Sequence, residues 1–293
     1  MPAPSAISPA SNERAVLVGL VGQDIQASRT PRMHEVEGAR LGLRYVYRLL
    51  DTRTDGFEHT TLEAIVHHAR LFGFAGLNVT HPYKQAVIAH LDALAPEAQA
   101  IGAVNTVVFK EGRAIGHNTD ASGFLRSLEL GLPQARRARV LQFGAGGAGL
   151  AVAQALLAFG TAELLVHDVD RARAQALVER FAPLVATATI QVVDDPQRAL
   201  ATADGVVNAT PIGMAAHPGT AFDTGALKPD TWVADIVYFP LETELLRRAR
   251  ALGCTTLAGA GMAVYQAVRA FELFTGIAPD PAEMTRTFES FGR

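Results

Sequence analysis

Short apolar runs alternate along the chain with longer stretches in which apolar residues recur every three or four positions. Runs that end in glycine or small polar residues predict buried β-strands, and the periodic stretches predict helices packed on one face. In the first half, strands are predicted at 15–22, 45–51 and 75–80, and helices at 31–41 and 61–73. Strands and helices that alternate in this way predict an α/β fold with a mainly parallel sheet.

Caps and turns refine this pattern in the first half of the chain. Thr30 is the predicted N-cap of the helix that Pro31 opens, because threonine favours that position and proline suits the first turn. Pro82 is predicted to open a further helix, which carries Lys84 in its first turn. The two strands that follow form a predicted β-hairpin, which turns at residues 111–112.

A helix at 121–130, for which Asp120 is the predicted N-cap, leads into a second α/β series. Its predicted strands cover 138–144, 162–170, 189–194, 205–210 and 232–238, and its predicted helices 148–160, 171–181, 241–252, 261–276 and 281–291. We therefore predict two α/β domains, residues 12–119 and residues 120–259. The closing helices, within residues 260–293, are predicted to pack back on the first domain.

Composition narrows the class of protein. The chain has 293 residues, 49% of them hydrophobic, and a formal net charge of −3, so electrostatic binding to nucleic acid is not expected. Cys254 is the only cysteine, which excludes an internal disulfide and fits a reducing cytoplasm. No long apolar run predicts a transmembrane helix, and the scattered histidines predict no metal site. The Pro/Ser-rich first dozen residues are predicted to be a flexible tail rather than a signal peptide.

Three strand ends carry small polar side chains and supply the candidate chemistry. Their motifs are GLNVTHPYK at 76–84, GAVNT at 102–106 and GHNTD at 116–120. The neutral donors and acceptors that suit a small polyhydroxylated molecule are Asn78, Thr80, Asn105 and Thr119. The motifs also supply Lys84 and Asp120, and a lysine beside a carboxylate suits proton transfer to and from a hydroxyl. Asn78 and Asn105 have a structural alternative, because strand-end asparagines also satisfy loop backbone groups.

A glycine-rich loop follows the strand at 138–144. Gly144, Gly146 and Gly149 form GxGxxG between an apolar strand and a small-residue helix, which is the context in which this pattern binds a dinucleotide. Such glycines permit a tight turn and let the backbone approach a pyrophosphate at the helix N-terminus. The loop residues assigned to the cofactor are Gly144, Gly146, Gly147, Ala148 and Gly149. Gly–Ala runs also occur in ordinary helix–strand packing, so the loop alone leaves both interpretations open.

The end of the next strand indicates which dinucleotide is bound. Asp168 lies 19 residues past Gly149, where an acidic residue binds the ribose hydroxyls of NAD. Asp170 fits the N-cap of the following helix better, which leaves Asp168 for the cofactor. Arg171 and Arg173 could stack on adenine or pair with a 2′-phosphate. Because two acids precede these arginines, we predict NAD rather than NADP.

Seven motifs in this chain resemble, in their order, those of the shikimate dehydrogenase family. They are GLVGQDIQASRTPRMH, GLNVTHPYKQ, GAVNTV, GHNTD, FGAGGAG, NATPIGM and GMAVYQAVRAFELFTG, and they span nearly the whole chain from residue 15. The resemblance implies an N-terminal α/β substrate domain, a Rossmann dinucleotide-binding domain and a cleft between them. It implies that Lys84 and Asp120 are the catalytic pair. The residues that it implies for substrate binding are Ser28, Thr30, Asn78, Thr80, Asn105 and Gln266.

The resemblance also implies further contacts to the cofactor. In addition to the glycine loop and Asp168, the residues assigned to the cofactor are Arg173, Thr210, Met214, Val237 and Gly261, of which the last four would flank the nicotinamide. Structural alternatives exist for part of the substrate set. Ser28 and Thr30 could equally cap the helix that begins at Pro31. Gln266 lies among apolar residues and needs a hydrogen-bond partner, of which a substrate is one candidate.

Two departures from the biosynthetic members of the family narrow the expected function. The chain has Ser28-Arg29-Thr30-Pro31 where those members carry Ser-x-Ser-Pro. It has His167-Asp168-Val169-Asp170 where they usually carry Asn-Arg-Thr, a sequence suited to the phosphate of NADP. Both changes resemble the NAD-dependent quinate/shikimate dehydrogenases, which act on quinate and shikimate and serve the catabolism of these acids.

The sequence leaves three alternatives open. The chain could be a biosynthetic, NADP-dependent shikimate dehydrogenase of the shikimate pathway to aromatic amino acids, or an enzyme that handles aminoshikimate. It could also be a catalytically inactive regulator that binds NAD or shikimate, although the retained Lys84 and Asp120 argue against this. The oligomeric state is not determined by the sequence, and a homodimer is a candidate.

Overall fold

Two six-stranded β-sheets organise the residues that the computed structural model describes, namely 15–54, 56–57 and 59–292. The α/β class predicted from the sequence is confirmed. The predicted flexible tail, residues 12–14 of the first predicted domain and Arg293 lie outside the described residues.

The first sheet is mixed. Its strands are β1 (Ala15–Gly22), β2 (Arg44–Asp51), β3 (Gly76–Val79), β4 (Ala93–Leu94), β5 (Thr106–Lys110) and β6 (Arg113–His117), and its helices are α1 (Thr30–Arg40), α2 (Leu62–Leu71) and α3 (Pro96–Ile101). The strand order is β2-β1-β3-β5-β6-β4. β1 is parallel to β2 and β3, whereas β5 is antiparallel to β3 and β6. The β5–β6 hairpin turns at Glu111 and Gly112, as predicted, and both residues have positive φ.

The second sheet is entirely parallel. Its strands are β7 (Arg139–Phe143), β8 (Glu163–His167), β9 (Thr189–Val192), β10 (Gly205–Asn208), β11 (Trp232–Asp235) and β12 (Thr255–Leu257), and the helices around it are α4 (Thr119–Gly131), α5 (Gly147–Ala158), α6 (Arg171–Phe181), α7 (Pro196–Leu200) and α8 (Glu244–Ala251). The order β12-β11-β10-β7-β8-β9 changes direction between β7 and β10. In open parallel sheets, ligands bind beyond the carboxyl ends of the strands at this reversal. The glycine loop leaves β7 and the NATPIGM segment leaves β10, so both lie at the expected place.

Two long helices link the sheets. α4 leads from β6 to the second sheet, and α9 (Ala260–Thr275) returns the chain to the first sheet, followed by α10 (Pro281–Glu289). α9 packs along α4, and its Phe271 and Phe274 pack with Tyr45 and Tyr47 of the first sheet. Gly123 allows the two helices to approach closely, because a Cβ there would lie 2.6 Å from the backbone nitrogen of Gln266.

Two predicted helix caps are wrong. Thr30 is the first residue of α1, and Arg29 stands at the cap position without a side-chain hydrogen bond. Asp120 lies inside the first turn of α4, because Asn118 is the extended residue that precedes the helix. Asn118 Oδ1 accepts the N–H groups of Asp120 and Ala121 at 3.1 and 3.3 Å. The cap is therefore provided by an asparagine that the sequence pattern did not single out.

The helix predicted to carry Lys84 is also wrong. Residues 81–85 form turns, and a short 3₁₀ helix begins only at Ala86. The carbonyl oxygen of Lys84 accepts the N–H of Val104 at 2.7 Å, which removes it from any helical hydrogen-bond ladder. Lys84 is thus fixed by the segment that leads into β5.

Candidate active site

Lys84 and Asp120 form the centre of the candidate site. Nζ of Lys84 lies 2.6 Å from Oδ2 of Asp120, and the two side chains are 22% and 10% exposed. The Asp120 carboxylate is free to face the lysine because Asn118 caps α4. A part-buried lysine that is hydrogen-bonded to a carboxylate can accept a proton from a substrate hydroxyl or return one. The fold brings together the two ionisable groups that the sequence paired.

A buried hydrogen-bond network adjoins Asp120 through Thr119. Asn78 Oδ1 accepts the hydroxyl of Tyr47 at 2.7 Å, and Asn78 Nδ2 donates to Thr106 Oγ1 at 3.0 Å. Asn105 Oδ1 accepts the N–H of Thr119 at 2.7 Å, and Asn105 Nδ2 donates to Thr119 Oγ1 at 3.0 Å. These contacts support the structural role that was considered for both asparagines. Their role in substrate binding stays a prediction.

The loop that carries Ser28 is held by a buried carboxylate, Asp51, which the sequence did not indicate. Asp51 accepts three backbone N–H groups at 3.0–3.2 Å, those of Asp24, Ile25 and Arg53. Burial alone raises the pKa of Asp51, but the donors outweigh burial and hold the pKa below its ordinary value. Ser28 Oγ accepts the N–H of Thr30 only at 3.4 Å, so Ser28 keeps acceptor and donor capacity beside the N-terminus of α1.

The two remaining candidate substrate residues lie on different elements. Thr80 follows β3, and its N–H donates to the carbonyl oxygen of Val21 at 3.0 Å. Gln266 lies on α9, where its Nε2 donates to the carbonyl oxygen of Ala263 at 3.0 Å and its Oε1 accepts the Thr119 hydroxyl at 3.5 Å. The glutamine therefore finds protein partners and joins the network next to Asp120.

The glycine loop is tightly packed at Gly144 and Gly149 and open at Gly146 and Gly147. Gly144 has φ of +97°, and a Cβ there would lie 2.6 Å from the carbonyl oxygen of Ala209. A Cβ at Gly149 would overlap the carbonyl oxygen of Gly144. A Cβ at Gly146 or Gly147 would meet nothing within 4 Å, so a pyrophosphate has room where α5 begins. The N–H groups at this helix start belong to Gly147, Ala148 and Gly149.

Asp168 is hydrogen-bonded to the glycine loop itself. Its Oδ2 accepts the N–H of Ala145 at 2.7 Å, and its Oδ1 accepts the N–H of Asp170 at 2.8 Å. Asp170 caps α6 by accepting the N–H of Ala172, as predicted. Arg173 pairs with Asp170 at 3.2 Å, and Arg171 Nε pairs with Asp194 at 2.8 Å. Both exposed arginines are thus neutralised by acids in this structure.

A buried pair, Asn208 and Asp235, holds the two loops that carry Thr210 and Val237. Asn208 Nδ2 donates to Asp235 Oδ1 at 2.9 Å, and Asn208 Oδ1 accepts the Thr210 hydroxyl at 2.7 Å. Asp235 accepts the N–H of Val237 at 3.0 Å and the hydroxyl of Thr243 at 2.7 Å. Burial raises the pKa of Asp235 despite these donors. Sequence reasoning missed Asp235, although an aspartate at the end of an apolar strand was a visible signal.

Met214 and Gly261 have different surroundings. Met214 is 43% exposed and lines an apolar groove of about 420 Å³ together with Gly213, Phe239 and Pro240. Gly261 lies in the first turn of α9, where a Cβ would overlap the side chain of Ser127 on α4. Close helix packing therefore accounts for this glycine, and its contact with a cofactor stays a prediction.

Tyr238 and Arg29 also belong to the site, and the sequence analysis assigned neither of them a role. Burial raises the pKa of Tyr238, and the charges of Lys84, Asp120 and Arg29 act on its hydroxyl in smaller measure. The residue as a whole is 43% exposed. The Arg29 guanidinium lies over three rings, those of Phe239, Phe288 and Phe291.

The described part of the chain contains no group of three or more His, Cys, Asp or Glu side chains arranged to hold a metal ion. Within the same residues, no helix has the length and apolar character needed to cross a membrane.

Comparison with known proteins relates this site to a family. The family model for the shikimate dehydrogenase substrate binding domain matches residues 20–107, and the model for the shikimate 5′-dehydrogenase C-terminal domain matches residues 259–287. The chain is 53% identical to a quinate/shikimate dehydrogenase (NAD(+)) of Corynebacterium efficiens, over 95% of this chain and 99% of the relative. It is 55% identical to a shikimate dehydrogenase (NADP(+)) of Streptomyces avermitilis, over 92% of this chain and 93% of the relative.

The fold comparison points the same way. The quinate dehydrogenase from Corynebacterium glutamicum, solved in complex with NAD, superposes with a TM-score of 0.92 at 51% identity, covering 95% of this chain and all of that one. Relatives named for NAD and for NADP are similar to this chain to nearly the same degree, so overall identity does not decide the cofactor. With family models matched in both parts of the chain and relatives more than half identical over nearly its whole length, the protein belongs to the shikimate dehydrogenase family.

Proposed function

We propose that this protein is an NAD-dependent quinate/shikimate dehydrogenase. The proposal rests above all on the 2.6 Å contact between Lys84 and Asp120, two part-buried groups next to a network of neutral polar side chains. Such a pair suits an alcohol whose proton leaves as its carbon is oxidised. The quinate/shikimate dehydrogenase of C. efficiens and the quinate dehydrogenase of C. glutamicum, which resemble this chain closely, support the choice of substrates.

In the proposed oxidation, Lys84 Nζ, in its neutral amine form, accepts the proton of the ring hydroxyl, and Asp120 orients the lysine and balances the positive charge that the proton brings. NAD supplies the hydride acceptor at its nicotinamide when it is bound. In the reverse direction Lys84 returns the proton to the oxygen. The side chains around the pair hold the ring hydroxyls, so that the reacting carbon is fixed in one orientation.

We propose that the substrate carboxylate lies near Ser28 and Thr30. The start of α1 leaves backbone N–H groups without helical partners, and the hydroxyl of Ser28 makes only a long contact within the protein. The neighbouring Arg29 adds a positive charge that is 92% buried, since 8% of the residue is exposed. An anion is therefore favoured at this end of the cleft.

Two features support NAD over NADP. Asp168 already accepts the Ala145 N–H of the glycine loop, and its remaining lone pairs suit ribose hydroxyls rather than a phosphate. Arg171 and Arg173, which could otherwise pair with a 2′-phosphate, are each bound to an acid. An approaching phosphate would have to displace Asp194 and Asp170 as well as tolerate Asp168.

Initial rates with quinate and with shikimate, each with NAD and with NADP, test the proposal. We expect turnover of both acids with NAD and a kcat/KM with NADP that is lower by at least about two orders of magnitude. A preference for NADP with shikimate alone would favour the biosynthetic alternative; the S. avermitilis relative is named a shikimate dehydrogenase (NADP(+)). Absence of turnover with any pair would favour an inactive regulator.

The proposed function also assigns a role to each domain. We infer that residues 12–119 with 260–293 form the substrate-binding and catalytic domain, and that residues 120–259 form the NAD-binding domain. The packing of α9 against the first sheet supports this division. A cytoplasmic location and a homodimer remain predictions, which fractionation and light scattering can test.

A further inference from the structure

A polar side chain, Gln142, lies in the middle of the central strand of the second sheet. β7 pairs with β8 on one side and β10 on the other, and Gln142 is flanked by the buried residues Leu141 and Phe143. The glutamine itself is fully buried. A glutamine at such a position needs hydrogen-bond partners, because burial of an unpaired amide is costly.

The Gln142 amide clamps both ends of the glycine loop. Its Nε2 donates to the carbonyl oxygens of Gly144 and Gly149, each at 2.8 Å. Only one orientation of the amide is possible, because the opposite one would place Oε1, which cannot donate, next to two carbonyl oxygens. Both hydrogens of the amide nitrogen are therefore donated to the glycine loop, one to Gly144 and one to Gly149.

This orientation leaves the other end of the amide without a partner. Gln142 Oε1 is buried and accepts no hydrogen bond within the described residues. A buried acceptor without a donor lowers stability, and the two hydrogen bonds of Nε2 oppose that cost. All the hydrogen bonds that the Gln142 side chain makes in the described structure therefore go to the glycine loop.

The clamp acts on the tightly packed part of the loop, at Gly144 and Gly149. Neither glycine tolerates a Cβ, which would meet the carbonyl oxygen of Ala209 at Gly144 and that of Gly144 at Gly149. The amide of Gln142 binds the carbonyl oxygens of both glycines. Asp168 holds the next residue, Ala145, by its N–H. With Gly144, Ala145 and Gly149 held by these hydrogen bonds, the loop is open at Gly146, where a Cβ would meet nothing within 4 Å.

We propose that Gln142 is a positioning residue that holds the glycine loop in its phosphate-binding shape in the free enzyme. The inference rests on the proposed function, in that the loop receives the pyrophosphate of NAD. A loop that is ordered in advance binds the pyrophosphate without a further entropic cost, and a loop without the clamp must be ordered by the ligand.

Gln142→Met tests this, because methionine has a similar length and offers no donor. Gln154→Met is the matched control, because Gln154 lies on α5 and also has a buried Oε1 without a partner in the described chain. We expect Gln142→Met to raise the Kd for NAD about tenfold, the effect of one to two lost hydrogen bonds. The Kd for ADP should rise by the same factor and that for adenosine should not, because only the phosphates meet the loop.

Further readouts separate positioning from a general loss of structure. The KM for quinate, and kcat at saturating NAD, should stay within about twofold of wild type, whereas a general loss of structure would change both. An unchanged Kd for NAD, or an equal loss with adenosine, would overturn the inference. If Gln142→Met does not fold, Gln142→Leu replaces it. Failure of the proposed function would give a different result. The wild-type protein would then show no turnover, while the Kd values of wild type and Gln142→Met for NAD could still be compared.

Discussion

At the scale of single residues, one capping asparagine decides what an aspartate can do. Asn118 satisfies the first N–H groups of α4, and Asp120 is thereby free to hold Lys84. Had Asp120 capped the helix itself, its carboxylate would have been bound to backbone N–H groups. The chemistry of the pair thus depends on a neighbour that takes no part in it.

The first prediction concerns Lys84. Lys84→Ala should lower kcat by roughly 10²–10⁴-fold, the usual loss when a general acid–base group is removed, with little change in KM for quinate. Steady-state rates at saturating NAD measure the effect. Lys110→Ala, at the exposed end of β5, is the control and should behave as wild type. A kcat within a few-fold of wild type would remove Lys84 from the mechanism.

A second prediction concerns Asp168. Asp168→Asn removes the charge but keeps an oxygen that can accept the Ala145 N–H, so the glycine loop is preserved. NAD should bind more weakly and NADP more strongly. The kcat/KM with NAD should therefore fall, that with NADP should rise, and their ratio should decrease. Asp230→Asn, at an exposed residue paired with Arg136, is the control. An unchanged ratio would mean that other groups select the cofactor.

A third prediction concerns the substrate carboxylate. Ser28→Ala should raise KM for quinate and for shikimate about 10- to 100-fold, because a hydrogen bond to a charged group contributes about 1.5–3 kcal/mol. The control Ser122→Ala removes a hydroxyl that bonds to the Thr119 carbonyl oxygen and should leave KM near wild type. Equal KM values for Ser28→Ala and wild type would move the carboxylate elsewhere in the cleft.

At the scale of elements, the loop between β1 and α1 owes its shape to Asp51 at the end of β2. This loop carries Ser28, yet its own residues make few regular hydrogen bonds, and the carboxylate supplies acceptors for its N–H groups. Thr52, the next residue, bonds to the hydroxyl of Tyr83, which precedes Lys84. The end of β2 therefore joins the loop that carries Ser28 to the turn of the candidate catalytic lysine.

A fourth prediction uses the lowered pKa of Asp51. Since this pKa is lower in the folded than in the unfolded protein, the charged carboxylate stabilises the fold above the unfolded value of about 4. That contribution is lost as pH falls through the folded pKa. Urea unfolding should show that Asp51→Asn is less stable than wild type at pH 7, and that the difference shrinks below about pH 4. A difference independent of pH would contradict this.

The sequence predicted the elements with strong periodicity and missed the weak ones. α6 was predicted at its observed limits, and the hairpin turn at Gly112 was predicted from its glycine. Short elements such as α3 and β12 carry too few residues for a periodic signal. The helix assigned to Lys84 failed because a long-range bond from Val104 overrides the local preference.

The site was predictable where chemistry requires a residue type, and unpredictable where position depends on the fold. Lys84 and Asp120 stood out because the predicted proton transfer needs ionisable side chains, and the glycines because the predicted pyrophosphate site needs residues without a Cβ. Asp51, Gln142 and Asp235 act from buried strand positions, and only the packed structure reveals which loops they hold. A polar residue within or at the end of an apolar strand is visible in the sequence, but the distant segment that it contacts is not.

At the scale of the whole molecule, the two sheets meet through α4 and α9. Both helices contribute to the site, Asp120 from α4 and Gln266 from α9, and Gly123 sets how closely they pack. Arg29 adds a second link, because its guanidinium contacts Phe239 beyond β11 and Phe288 on α10. The relative position of the sheets therefore controls the geometry of the cleft.

A fifth prediction follows from that packing. Gly123→Val should push α9 from α4, with an overpacking cost of about 1–3 kcal/mol in unfolding free energy. Because Asp120 and Gln266 would separate, kcat/KM for quinate should also fall, while NAD affinity should change little. Gly112→Ala is the control: alanine at this positive φ is strained, so stability should fall, while nothing lies near its Cβ and the cleft should be unaffected. A stability loss without any change in kcat/KM would mean that the helix pair does not set the site.

The return of α9 to the first sheet has a consequence for synthesis on the ribosome. One face of this sheet, with Tyr45 and Tyr47, is covered by Phe271 and Phe274, which are translated only after the entire second sheet. At ordinary elongation speeds the face stays bare for roughly 10–30 s after its strands emerge. During that interval the nascent chain exposes an aromatic surface on which chaperones can bind or unfinished copies can aggregate.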